Sequence, residues 1–508
     1  MRSKEYGTGE SKKTILLVAP RHPRNFWTLD GALEILGGKA LIPNLALQTL
    51  MALTPPDADV RYLMCDENVT ALDGGVACDL VAITGSTLHA GRIRELCERF
   101  AARSIPIALG GTYASIRPDL CAPLCQHLFV GEAERTWPRF LREWLAGEAA
   151  PRYEEPERVD LAESPRPDWS LVDPADYVNL AVQTTRGCPH QCDFCDVIQV
   201  VGRKVRTKPI PHVMAELEEA HARGSRAVFI ADDNLLASRP YTRELLAAIV
   251  EWNTAKEEPV LFTAQISMDV ADDEELLQAF ADARFLSFFL GLESIRDNCL
   301  EEVGKHHNVR QDPARRVRRI SRYGIIPFLG MIVGFDHDDE QTFEELAAFI
   351  EETRTPTVAV SLLNAPFGTP LHERLQAEGR LIEDDFHGEW QLHTNIVPKQ
   401  MSRETLIGSY RRLMRELYEP ARFGRRLRDW FTLVEYQSPH RAMAPDDLDL
   451  MVRIFSLLRA TLGDVEADAR RAFFKSVKQT IREQPHPVSA FTMLLAQFRH
   501  FHGFVQSL

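Results

Sequence analysis

Cysteine is scarce in this chain, nine residues in 508. That is far below the density of a disulfide-stapled secreted domain, so a reducing compartment fits and a cytoplasmic protein is expected. Long apolar runs are missing as well: none could span a bilayer, and the first, Ile15 to Ala19, is too short for a signal peptide. Cationic residues do not dominate, with 59 Lys and Arg against 73 Asp and Glu and a net charge of −14. Binding a nucleic-acid backbone needs a concentrated cationic surface, so nucleic acid is not expected as a partner. The best candidate for a local basic patch is the run Arg411, Arg412, Arg415, Arg422, Arg425, Arg426 and Arg428, whose spacing is otherwise that of an amphipathic helix with a solvated face. Internal repeats and low-complexity tracts are also lacking. A GxGxxG after the first strand is absent, and Ala19-Pro20-Arg21-His22-Pro23 stands there instead, which argues against a dinucleotide held through its pyrophosphate.

The length exceeds one ordinary core, and two to four domains are expected. From 13 to 150, short apolar runs (Thr14–Val18, Val60–Cys65, Leu80–Thr84, Pro106–Leu109, Leu128–Val130) alternate with helical patterns over Leu41–Leu53 and Gly91–Arg103. Such runs fit a parallel sheet covered on both faces, a doubly wound α/β domain that binds ligands at the carboxyl ends of its strands. Residues 151–178, with Pro151, Pro156, Pro165, Pro167 and Pro174 among acidic residues, read as a linker. A second βα array over 179–375 has strand candidates at Leu180–Thr184, Ala227–Ile230, Val260–Ala264, Ser287–Leu290, Pro327–Val333 and Val358–Leu363. Six strands predict a partial (β/α)₆ barrel working at its strand carboxyl ends. Residues 376–508 lose the strand signal and predict an α-helical region, with helices over Thr405–Leu417 and Asp447–Leu462.

Inside the second array, Cys188, Cys192 and Cys195 are spaced CxxxCxxC. They offer three thiolates to one centre. A cubane iron–sulfur cluster ordinarily takes four, so a set of three suggests an iron left open for a substrate or cofactor. A zinc site completed by His190 or a distant residue is the other reading. Of the remaining cysteines (Cys65, Cys78, Cys97, Cys121, Cys125, Cys299) only Cys121 and Cys125 are grouped, and they read as small buried apolar residues.

The segment Arg186 to Cys195, with Phe194 before the last cysteine, resembles the signature of the radical S-adenosylmethionine (SAM) enzymes. The resemblance implies a [4Fe–4S] cluster on the three cysteines. Its unique iron chelates SAM, and one-electron cleavage yields a 5′-deoxyadenosyl radical that abstracts hydrogen from an unactivated position. It also assigns strand-end residues to SAM. Asp232, Asp233 and Asn234 take the place of the family's Gly-Gly-Glu-like motif at the ammonium group, and Glu293 and Ser294, in Gly291-Leu292-Glu293-Ser294, reach the ribose. Gln265 and Ser267 are weaker candidates, Gly330 and Gly334 would let the adenine approach, and Pro366 to Leu371 resembles the Pro-Gly-Thr-Pro turn. Each has a plain alternative: a helix cap for the Asp-Asp-Asn trio, a helix-start carboxylate for Glu293, strand polarity for Gln265 and Ser267, and close strand packing for the glycines.

In the first domain, Ser86, Thr87 and Leu88 follow the third strand, Gly110, Gly111 and Thr112 follow the fourth, and Gly131 and Glu132 follow the fifth. These loops resemble the cobalamin-binding Rossmann-like domains fused to radical SAM barrels, and the resemblance lays the cobalamin tail against them. The Asp-x-His-x-x-Gly of other cobalamin domains is absent. His22 and His89 read as surface or capping residues, so cobalamin is expected without a protein histidine on cobalt.

The order of these parts resembles that of cobalamin-dependent radical SAM methylases, hopanoid methylases among them. The resemblance implies a methyltransferase acting on an unactivated carbon of a small-molecule or lipid substrate. Methylcobalamin would donate the methyl group, a second SAM would restore it, and flavodoxin or ferredoxin would supply electrons. The tail aromatics (Trp390, Trp430, Phe431, Phe455, Phe473, Phe474, Phe491, Phe498, Phe501, Phe504) would suit an apolar substrate, though helix cores are the plainer reading. Two other classes stay open: a cobalamin-dependent cyclisation or rearrangement without methylation, and a non-catalytic metal or electron-transfer protein.

Overall fold

The computed structural model describes residues 2–9, 12–382, 393–436, 447–483 and 488–508. Its first layer is a seven-stranded sheet built from β1 (Ser3–Glu5), β2 (Lys13–Ala19), β3 (Val60–Asp66), β4 (Leu80–Thr84), β5 (Ile107–Gly110), β6 (His127–Val130) and β7 (Arg152–Glu154), in the order β1-β3-β2-β4-β5-β6-β7. All pairings are parallel except that of β1 on β3. The uninterrupted apolar run of β2 follows from burial on both faces: Ile15 and Leu17 pack with Trp137 and Phe140, while Leu16 and Val18 pack with Ile93 and Leu96. The chain crosses from one side of β2 to the other between β3 and β4, and that switch opens a crevice at the carboxyl ends.

The proline-rich segment does more than link. Residues Arg152 to Glu154 form β7 along β6, and Tyr153, fully buried, stacks on Phe129 at 5.1 Å. Further on, Val159, Leu161 and Trp169 are buried as well. The segment looked polar because its inward residues are spaced apart by exposed prolines and carboxylates.

The second sheet is six parallel strands in chain order: β8 (Leu180–Val182), β11 (Ala227–Ile230), β12 (Leu261–Ile266), β13 (Phe285–Glu293), β14 (Ile326–Val333) and β15 (Thr357–Leu362). Between β8 and β11, a short antiparallel ribbon of β9 (Thr185–Arg186) and β10 (Arg206–Thr207) flanks the cysteine loop. The barrel is open, and its last strand needs a cover. Tyr418 supplies one: its hydroxyl donates to Val358 O at 2.6 Å and accepts from Val358 N at 3.0 Å.

The arginine run departs from expectation at one position. Arg426 is 2% exposed, pairs with Glu351 at 2.9 Å and donates to Thr355 O, so it ties the helix Pro420–Phe431 beneath the barrel instead of facing solvent. The tail aromatics Trp430, Phe431, Phe473, Phe491, Phe498, Phe501 and Phe504 are core residues, Phe455 and Phe474 are half-buried, and Trp390 lies outside the described residues.

Phe26, fully buried between β2 and the helix Asp30–Leu36, stacks on Phe501 of the last helix, Val488–Gln506, at 4.1 Å. Arg499 and His500 fasten the same junction through the backbone of Gly31. Replacing Phe26 by Ala removes the ring and leaves a cavity, so the Phe26→Ala variant is expected to lose about 3–5 kcal/mol in denaturant unfolding. Its last helix should be cut faster by trypsin than that of the parent.

Candidate active site between sheet and barrel

The cysteine loop leaves β9 through Gly187, whose φ is 101° and where a Cβ would lie 2.5 Å from Lys204 O, so only glycine fits. The loop is pinned along its length: Gly187 N–H donates to Asp233 Oδ2 at 3.0 Å, Asp193 N–H to Val303 O at 2.9 Å, and Leu371 N–H to Asp193 O at 3.0 Å. Burial raises all three thiols, Cys192 to about 11 and Cys195 to about 12. Among the described residues no three His, Cys, Asp or Glu side chains converge to a metal-ligating distance. The thiols share a loop rather than a point, and His190 stacks on His307 at 3.7 Å instead of joining them.

The strand ends sort the expected SAM residues by how committed they are. Asp232 is saturated: its Oδ1 accepts from the N–H groups of Thr184 and Thr185, and its Oδ2 from both threonine hydroxyls. Burial pushes its pKa up to about 6 against those four bonds. Asn234 caps the turn after β11, accepting from Leu236 N and Ser267 N, so it holds Ser267 in place. Ser294 likewise accepts from Arg296 N. Asp233 spends one oxygen on the cysteine loop, and Gln265, exposed on β12, has no side-chain hydrogen-bond partner among the described residues.

Glu293 sits at a bulge in β13 with φ 68° and accepts from Lys305 Nζ at 2.7 Å. A Cβ on Gly291 would lie 2.5 Å from the Glu293 carboxylate and 3.1 Å from Lys305 Nζ, so that glycine makes room for the pair. Burial opposes the Lys305 charge, yet Glu293 and the nearby Cys192 hold its pKa above the ordinary lysine value. Sequence reasoning missed Lys305, twelve residues from Glu293 with no periodic link to it. Close strand packing, one of the two readings of Gly330, is what its neighbours show: a Cβ there would meet the Phe289 ring at 2.6 Å. Phe289 and Phe328 are half-buried inside the barrel, and Trp27, 36% exposed, meets them at 4.9 and 5.7 Å, making an apolar wall.

The loops of the first sheet gather in two cavities. One, of about 360 Å³, brings Gly110, Gly111, Thr112, Gly131 and Glu132 against Gln183 and Arg186 of the barrel. The other, of about 330 Å³, sets Ser86, Thr87 and Leu88 beside Trp27, Asp196 and Pro366. Gly111, at φ 91°, is excluded from carrying a side chain by Thr84 Oγ1 at 2.6 Å from its Cβ position. His89 closes a capping box with Ser86, and its Nε2 lies 2.9 Å from His22 Nδ1. Burial holds His89 near a pKa of about 4, so the pair is uncharged at neutral pH.

Glu132 is part of a clasp. It accepts from Arg206 at 2.8 Å, from Arg186 at 3.2 Å and from Val159 N at 2.8 Å, while Glu134 pairs with Arg186 at 2.7 Å. Burial raises the Glu132 pKa, but Arg206, Val159 N–H and Arg186 together bring it below the ordinary value.

Residues 182–350 match the radical SAM superfamily, and residues 369–508 match a domain of unknown function (DUF4070). The chain is 30% identical to an uncharacterized methyltransferase of Synechocystis sp., sll1242, over 96% of its own length and 91% of that protein. It is 31% identical to the hopanoid C-2 methylase of Rhodopseudomonas palustris over 74% and 73% of the two chains. The chain belongs to the radical SAM methyltransferases. Its fold matches that of OxsB, a cobalamin-dependent SAM radical enzyme solved with aqua-cobalamin and SAM bound, at a TM-score of 0.62 and 14% identity over 98% and 80% of the chains. This methyltransferase is therefore an enzyme with the architecture expected from its motifs, and no helix among the described residues is long and apolar enough to cross a membrane.

Removing one side of the clasp strands buried charge. Glu132→Ala in the methyltransferase is expected to cost about 3–5 kcal/mol in urea unfolding at neutral pH. Because the Glu132 pKa is lowered by folding, its contribution is complete above the ordinary carboxylate range and fades as pH falls. The difference between parent and variant should therefore shrink in acid; a constant gap would show that the pairing contributes nothing.

Proposed function

We propose that this methyltransferase transfers a methyl group to an unactivated carbon of an apolar, lipid-like substrate such as a polycyclic isoprenoid. A [4Fe–4S] cluster would be held by Cys188, Cys192 and Cys195, with SAM and cobalamin beside it. The observation that carries this reading is the meeting at one boundary of three soft donors, glycine-lined cavities and the Trp27–Phe289–Phe328 wall. The relationship to a hopanoid methylase supports the substrate class.

The residues present fit these groups. Three thiols on one pinned loop are the right donors for iron, and the Lys305 cation near Cys192 suits an anionic cluster. Gly111 leaves a backbone surface that a large cofactor can approach. When bound, the cluster and SAM supply a hydrogen-abstracting radical, cobalamin supplies the methyl group, and an outside donor such as flavodoxin or ferredoxin supplies electrons. The protein's own work is placement. Glu293 takes the ribose hydroxyls and Lys305 the SAM carboxylate, while Asp233 and Gln265 offer the acceptors for the ammonium. Asp232, Asn234 and Ser294 support this site from behind. His22 and His89 are paired to each other, so cobalamin would be held without a histidine on cobalt.

Each of Cys188→Ala, Cys192→Ala and Cys195→Ala is expected to abolish 5′-deoxyadenosine formation while cobalamin absorbance is retained; product from any of them would overturn the cluster assignment. Lys305→Met should weaken SAM binding by at least about tenfold in calorimetry, the size of a lost charged hydrogen bond, and Lys305→Arg should restore part of it. Anaerobic turnover with methyl-deuterated SAM and a lipid extract should label an apolar product. A new product without label would replace methylation by cyclisation or rearrangement.

A further inference from the structure

An open groove of about 1060 Å³ lies far from these residues in sequence. It runs between the helices Asp447–Thr461 and Ala467–Glu483 and is lined by Arg459, Arg470, Arg471, Lys475, Lys478 and Arg482 around Phe455 and Phe474. In a chain of net charge −14, this is a concentrated cationic surface. The fold does not need it: Phe473 and Val477 on the opposite face of Ala467–Glu483 are fully buried, and that helix packs through them on Pro420–Phe431. Arg470 donates to Leu462 O and Gly463 O, and Arg471 pairs with Asp468. The others, Arg459, Lys475, Lys478 and Arg482, are exposed and have no carboxylate partner among the described residues.

Two apolar side chains flank the cations. Val452 is 59% exposed and lies on the face of Phe455 and Arg459, one and two turns before them; Ile481, 46% exposed, shares the face of Phe474 and Lys478. Phe455 and Phe474 meet at 6.3 Å in the groove floor. Cations rimmed by exposed aliphatic side chains over a phenylalanine floor match a boundary where anionic headgroups overlie hydrocarbon. A folded acidic protein or a free phosphate gives the apolar rim no partner. The helix Asp447–Thr461 also packs on Asp30–Leu36, the helix that leads out of the Trp27 loop, so this face and the apolar wall of the site are joined through it.

We propose that this groove docks the protein on the surface of an anionic phospholipid bilayer. The inference rests on the charge and exposure of the two helices, and it stands or falls apart from the assignment of the substrate.

The test uses the full-length protein and vesicles of phosphatidylglycerol and phosphatidylcholine in equal parts, read by co-sedimentation. Binding is expected to the mixed vesicles and not to phosphatidylcholine alone, and to fall in about 0.5 M salt, where screening shortens the reach of each charge. Lys475→Glu/Lys478→Glu should weaken it by at least about tenfold. Arg411→Glu/Arg415→Glu makes the same change in net charge at exposed positions of the helix Arg403–Leu417 and should leave it intact. Circular dichroism and SAM cleavage should match the parent in both variants. Failure to sediment with the mixed vesicles, equal binding to the neutral ones, or equal loss in the two variants would each overturn the proposal. So would an effect of Lys475→Glu/Lys478→Glu confined to binding of an acidic protein.

Discussion

The architecture depends on a buried four-residue clasp in which Glu132 and Glu134 of the first sheet hold Arg186 and Arg206 of the barrel ribbon. Arg186 and Arg206 face each other across β9 and β10, so the carboxylates grip both strands at once. The cysteine loop begins one residue after Arg186, and the glycine turn of the first sheet ends one residue before Glu132. A clasp between those points therefore sets where one binding loop stands relative to the other. Charges this buried persist only when each meets its partner, so a small shift between the domains would strand one of them at a cost of several kcal/mol. That penalty makes the clasp a fixer of geometry more than a source of net stability.

The parts of the fold that could be read from the sequence are those dictated by local pattern. Continuous apolar runs such as Ile15 to Val18 and Val358 to Leu362 declare strands buried on both faces, and all six barrel strands lay within a few residues of their expected places. β7 escaped because it is three residues long and only Tyr153 faces inward. Arg426 escaped for the opposite reason. Arg425 beside it is exposed and the spacing of the run is that of a solvated face, yet the Thr355 carbonyl, the Leu417 carbonyl at the end of the helix Arg403–Leu417 and the Glu351 side chain make a pocket that no local pattern announces.

The same division runs through the site. The three cysteines and the glycine loops are contiguous motifs, and the structure gathers those loops at the boundary between sheet and barrel. Lys305, the Thr184–Asp232 lock and Trp27 join residues far apart in the chain. The neighbours that need those glycines are visible only in the fold: Gly291 clears space for Glu293 and Lys305, and Gly330 clears it for Phe289. The helical spacing of the tail aromatics fitted both a core and a lining, and packing against Pro420–Phe431 and Val488–Gln506 placed most of them in the core.

Why a buried lysine and glutamate should be paired beside the cysteine loop follows from the same energetics. An isolated buried charge waiting for its ligand would be unaffordable, and it would shift its pKa and neutralise. Paired at 2.7 Å, Lys305 and Glu293 each meet a charged partner in place of water. In the proposed function the ligand is itself a zwitterion with ribose hydroxyls. Its carboxylate can take over Lys305 while its hydroxyls donate to Glu293, exchanging one set of charge-assisted bonds for another without a fresh desolvation cost. Gly291 is what permits that arrangement, since any side chain there would drive the pair apart. The bulge holds Glu293 at φ 68° at the strand end, a left-handed conformation kept where its carboxylate meets Lys305.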